Sequence, residues 1–240
     1  MIKSLRFKKP RFFIRFFIWL FVILIAMVAI MLTKMVFWEG YQVPTPSMTP
    51  TLRVGDVAWV DKSAFGKRWP WVKNPSISLP SRSDVVVFIH PKTQEYYVKR
   101  VVGLPSDTVM ILGRKVYLNG EEFEKVAEFS PQMTNLVQNN DWGVLGKVYW
   151  MQHQNKKYRV LFTKTESLSW SFSGYWVVPK DHFFVLGDLR DESSDSREWG
   201  MVHKDALVGK VKCIVDAGIK TQSPIPKRSN CNIDQPTRAE

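Results

Sequence analysis

Residues 95–123 read EYYVKRVVGLPSDTVMILGRKVYLNGEEF, and this stretch decides the fold class. Three short runs, EYYVKRVV (95–102), TVMIL (108–112) and KVYL (115–118), are rich in β-branched and aromatic residues. None carries the 3.6-residue repeat of an amphipathic helix. Asn119-Gly120 falls between two strand-like arms, a strong hairpin signal. Comparable runs recur at 56–61, 84–90, 157–164, 175–179, 182–187 and 207–216, separated by turn residues. Many short strands with frequent turns predict an all-β domain. Residues 124–155 are polar and poorly patterned, and read as an insertion without evident chemistry. The segment 219–240 reads as a loosely attached polar tail.

The N-terminus has a different character. Residues 1–11 hold five basic side chains and no acid, and Arg15 adds a sixth. Residues 16–33, FFIWLFVILIAMVAIMLT, are uncharged and almost wholly apolar. As a helix at ~1.5 Å per residue they cover roughly 27 Å, close to a bilayer core. Lys34 and Trp38 stand where a snorkelling base and an interfacial aromatic belong. A cleavable leader needs a shorter apolar region and a small-residue cleavage site, so a retained anchor is expected. The basic flank predicts a cytoplasmic N-terminus, with the rest of the chain outside.

The net charge of +12 is unevenly spread, because residues 1–35 supply seven bases and no acid. Much of the basicity is therefore a topology signal, and a nucleic-acid partner is not expected. Cys213 and Cys231 stand apart from His90, His153, His182 and His203, which are scattered. No metal site is expected from that spacing. In an oxidising compartment the two cysteines can pair; otherwise one is a buried thiol and one lies in the tail.

Three elements carry chemistry. PTPSMTPTL (44–52) cannot form a regular helix or a central strand, so Ser47 sits on stiff, extended backbone. A nucleophilic serine needs a base. No Gly-x-Ser-x-Gly elbow is present and no histidine neighbours a serine motif; His90 and His182, at strand ends, read as structural. A lysine serves instead when burial disfavours its ammonium. Lys99 is the candidate: alternation puts it with Tyr97 and Val101 on one face, and Arg100 with Val98 and Val102 on the other. The third element, VLGDLRDESSDSREWG (185–200), packs acids, serines and arginines into a turn-rich stretch where Asp–Arg pairs can lock a platform. Ser193 or Ser196 can orient a lysine amine from it.

In this order, the elements resemble the bacterial type I signal peptidases. PTPSMTPTL is similar to that family's serine box, YYVKRVVGLPSD to its lysine box, GDLRDESSDSREWG to its Gly-Asp-Asn-Arg-Asp box, and SDVVVF (83–88) to the short box between. The resemblance covers roughly residues 38–215. It implies a mainly β, signal-peptidase-type catalytic domain behind one N-terminal transmembrane helix. The organisation would be a basic cytoplasmic segment (1–15), an anchor (16–37), an extracytoplasmic peptidase domain (38–218) with an insertion near 113–175, and a polar tail (219–240). It implies a Ser/Lys dyad that removes signal peptides from exported precursors, without metal or cofactor, by a monomer in the cytoplasmic membrane. By position, Ser47 is the nucleophile and Lys99 the general base. Thr45 and the Ser47 N–H form the oxyanion hole, Ser193 orients the lysine, and Asp188, Asp195 and Arg197 are structural support.

Three positions depart from the family pattern. Leu189 stands for an Asn, and Ser83 and Ser106 stand for glycines. The divergence admits a specialised enzyme, such as one maturing a pilin of a conjugative or secretion system. A catalytically silent membrane-anchored paralogue and a self-cleaving regulator are the rival classes. The first must explain why Ser47, Lys99, Thr45 and Ser193 are intact; the second lacks its DNA-binding head.

Overall fold

The computed structural model describes residues 11–66, 77–128, 146–163, 173–215 and 229–231. Residues 1–10 of the basic segment and parts of the expected insertion and tail lie outside them. The chain divides into two units, residues 1–38 and 39–240.

Among the described residues, the first unit holds one helix, α1 (Arg11–Phe37). Its window Phe13–Met31 has a mean hydropathy of 2.8 with none of it buried, long and apolar enough to cross a membrane.

The second unit is mainly β. In chain order the strands are β1 (Trp38–Gln42), β2 (Val57–Asp61), β3 (Val85–Ile89), β4 (Tyr96–Gly103), β5 (Thr108–Leu112), β6 (Lys115–Leu118), β7 (Glu121–Glu122) and β8 (Glu124–Glu128). They continue as β9 (Gly146–His153), β10 (Lys156–Thr163), β11 (Gly174–Val177), β12 (His182–Leu186), β13 (Val202–His203), β14 (Leu207–Val215) and β15 (Ser229–Asn230). The largest sheet runs β1-β2-β14-β3-β4-β12-β13, with β15 added to β14; β10-β9-β8 and β11-β5-β6-β7 form two smaller sheets.

The sequence explains the core. Along β3, Val85 and Val87 belong to one apolar cluster with Val43, Met48 and Leu52, while Val86 and Phe88 belong to another with Val101 and Phe183. A strand buried on both faces reads as an unbroken apolar run, which VVVFI is. At the β6–β7 turn Asn119 and Gly120 both have positive φ, 53° and 87°, as the two-residue hairpin turn requires. Ser83 and Ser106 also have positive φ, 70° and 72°. These are the positions where glycines were expected, and the serines adopt the glycine conformation at a steric cost.

Two regions carry more structure than their sequence advertises. In residues 124–128 and 146–155, whose fold the sequence left open, β8 and β9 pair with each other, and β9 pairs with β10 in register from His153↔Lys156 to Gly146↔Thr163. Their strand character comes from pairing, which polar sequences such as EKVAE do not advertise. The tail is not loose at residues 229–231. Ser229 and Asn230 pair with Val215 and Ile214, and Cys231 is disulfide-bonded to Cys213.

Candidate active site

The proline-rich run is not extended at Ser47 as expected: it folds as a single 3₁₀ turn, Pro46–Met48, with only Thr45 and Thr49 extended on either side. Its interior is anchored by Met48 and Leu52, both fully buried. The loop after β12 holds the turn from the other side, where Leu189 N donates to the Ser47 carbonyl at 3.1 Å. Gly187 makes this approach possible, because a Cβ there would lie 2.6 Å from the Ser47 carbonyl oxygen and run into the Ser193 side chain.

Lys99, 52 residues away in sequence, reaches this turn from β4. Its Nζ lies 2.8 Å from Ser47 Oγ and donates to the Val98 carbonyl at 3.1 Å. The Tyr97 ring stands beside the amine, 5.4 Å from Nζ to ring centroid. Lys99 is 3% exposed, and no carboxylate is within ion-pair distance of it among the described residues. Burial pushes its pKa down to about 8; the more distant Asp195 and Asp188 oppose this and Arg197 adds to it. Thr45 Oγ1 lies 3.3 Å from Ser47 Oγ. A serine hydroxyl against an amine whose pKa is lowered to about 8, and which is therefore neutral in a far larger fraction than an ordinary lysine, is chemically equipped for nucleophilic attack with lysine as base.

The acidic platform is tied down as the Asp–Arg density suggests. Asp195 takes a two-pronged pair from Arg197, at 2.7 Å on each oxygen, and also accepts from Gly187 N at 3.0 Å. Arg197 donates further to the Arg190 carbonyl. Asp188 takes a bidentate pair from Arg100, at 2.8 Å twice, and a hydrogen bond from Thr51. The expected link from Ser193 to Lys99 is not made: Ser193 Oγ is buried without a hydrogen-bond partner. Leu189, in place of the expected Asn, is fully buried and bridges to Leu161.

Sequence reading left Arg100 without a role. It is 1% exposed, binds Asp188 and the Ser83 carbonyl, and stacks on Tyr158 with its guanidinium carbon 4.4 Å from the ring centroid. The signal was present: two consecutive bases in an apolar strand cannot both reach water.

The family model for signal peptidase, peptidase S26, matches residues 16–215. Signal peptidase I of Buchnera aphidicola subsp. Schizaphis graminum is 33% identical over 209 residues, covering 72% of this chain and 66% of that protein. Signal peptidase I of Pseudomonas aeruginosa is 36% identical over 208 residues, covering 80% and 68%. A crystal structure of a signal peptidase I from Enterococcus faecalis matches 57% of this chain and 99% of that one, at 28% identity and a TM-score of 0.33. The chain belongs to the signal peptidase family, peptidase S26. It spans about two thirds of the length of the two relatives.

Proposed function

We propose that this chain is a membrane-anchored serine endopeptidase that removes signal peptides from exported precursors. The observation that carries the reading is the 2.8 Å approach of a desolvated Lys99 amine to Ser47 Oγ. Neutral Lys99 takes the Ser47 proton as Oγ attacks the carbonyl of the signal peptide's last residue. The oxyanion forms against the Ser47 N–H and the Thr45 hydroxyl, donors each worth roughly 10²–10³ in rate at such sites. The lysinium then protonates the departing amine of the mature protein. Water, deprotonated by the same amine, hydrolyses the acyl-enzyme and frees Ser47. Asp188, Asp195 and Arg197 hold the platform, and orientation of the charged amine by Ser193 rests on the family resemblance alone.

The precursor enters as an added strand, an ordinary way to present a scissile bond to a sheet edge. β1 is an edge strand, and β4 pairs with β12 only from Arg100 onward, which supports a binding groove beside both. For topology, the basic flank supports a cytoplasmic N-terminus with α1 crossing the inner membrane. The Cys213–Cys231 disulfide fits a domain exposed to an oxidising compartment.

The test is cleavage of a model precursor with an Ala-x-Ala site by the detergent-solubilised full chain. Cutting after the second Ala is expected, with a loss of roughly a thousandfold or more in both Ser47→Ala and Lys99→Ala. An inert parent whose Ser47 is still labelled by an active-site probe would point to a narrow dedicated substrate, such as a pilin. Neither cleavage nor labelling would leave the silent paralogue.

A further inference from the structure

His90 directly follows β3 and is only 4% exposed. Two kinds of contact fix it. Its Nδ1 accepts from the backbone N–H of Lys92 at 3.2 Å and of Thr93 at 3.0 Å, which closes the β3–β4 loop. Its ring faces Tyr97, with centroids 4.4 Å apart and planes 34° from parallel, and meets Trp199 edge-on at 4.8 Å. Tyr97 is the residue whose ring stands beside the Lys99 amine. Trp199 closes the short helix α2 (Ser196–Trp199), which is capped by Asp195 of the platform.

We propose that His90 is a positioning residue for Lys99, its ring holding the Tyr97 ring over the lysine amine and keeping water from it. The inference rests on Lys99 acting as the base. Tyr97 is half-buried and flanked by the exposed Tyr96, so something must stop its ring from swinging outward. Phe88, behind it, is farther off, with its centroid 6.4 Å away. His90 forms the nearer wall, at 4.4 Å, and Trp199 backs His90. Water admitted at Tyr97 would solvate the ammonium and return the base toward an ordinary lysine.

Other charges are in place around both groups. Asp188, Asp195 and Arg197 act on Lys99, while Lys92, Glu95, Glu198 and Lys99 itself act on His90. With Nδ1 occupied by two N–H donors, the ring proton of neutral His90 sits on Nε2.

Two variants separate the ring from the loop. His90→Phe keeps a ring against Tyr97 but loses the acceptor. His90→Asn keeps an acceptor for the loop but loses the ring. Lys99 is titrated by NMR of its side-chain nitrogen in the detergent-solubilised full chain, beside the pH–rate profile of precursor cleavage. His90→Asn is expected to move the titration, and the rising limb of the profile, up by about one pH unit. His90→Phe should leave both within a few tenths of a unit while lowering Tm. A titration that stays put in His90→Asn, or moves equally in both variants, overturns the inference. If the parent cuts no precursor while the Lys99 titration still distinguishes the two variants, the proposed activity fails and this inference stands.

Discussion

Lys99 and Arg100 are consecutive residues of one strand, both buried, and they are treated in opposite ways. Arg100 is given a full set of partners: the Asp188 carboxylate on two prongs, Thr51, the Ser83 carbonyl and the face of Tyr158. Lys99 is given a serine oxygen and one carbonyl, with its nearest acids already engaged by arginines. The first cation stays charged and holds two segments together. The second is pushed toward neutrality and becomes able to take a proton. What makes a buried base structural or reactive here is whether a carboxylate is supplied to it.

The comparison can be broken from the Arg100 side. Arg100→Met leaves Asp188 buried without its counter-charge, and a loss of about 3–5 kcal/mol in stability is expected. Chemical denaturation of the β unit, residues 39–240, in the full chain measures it. An unchanged midpoint would mean the pair does not bind the platform to β4.

It can also be sharpened by making Lys99 resemble Arg100. Thr45→Asp places a carboxylate beside the Ser47–Lys99 contact, which favours the ammonium. The rising limb of the pH–rate profile, expected near pH 8 in the parent, should move up by roughly one to two units. Loss of the Thr45 hydroxyl alone, tested in Thr45→Val, should lower the rate without moving the limb.

The smallest effect concerns stability. Lys99 has a folded pKa of about 8 against an ordinary 10.5. The unfolded chain therefore binds the proton more tightly, so the cost of burying Lys99 is fully present below pH 8 and disappears as the pH rises past 10.5. The gap corresponds to a ceiling of about 3 kcal/mol. Lys99→Met removes that cost but gives up two hydrogen bonds, so a net gain of about 1 kcal/mol is expected at neutral pH. Melting of parent and variant across a range of roughly pH 7–11 should show the difference shrinking toward the alkaline end.

Two strand regions were legible for different reasons: VVVFI, in the sheet that carries Lys99, is apolar throughout, and VYLNGEEF, in a separate sheet, carries its own turn. From the residues alone Lys99 stood out by alternation, which could say that one of the two bases was buried but not that both were; the resemblance of its segment to a lysine box chose between them. The partner that divides their fates, Asp188, lies 88 residues from Arg100, and no local pattern announces such a pair. β8 and β9 escaped notice because their pairing, β8 on β9 and β9 on β10, is not announced by local composition. The hydroxyl of Ser193 was assigned a contact by resemblance, and the geometry leaves it unused.

The clip between Cys213 and Cys231 has a consequence for endurance. The bond closes a covalent loop across an 18-residue separation. A protease that cuts once between the two cysteines cannot release the C-terminal piece, because the new ends remain joined through sulfur. β15 keeps its place on β14, and the sheet that carries β3 and β4 survives the wound.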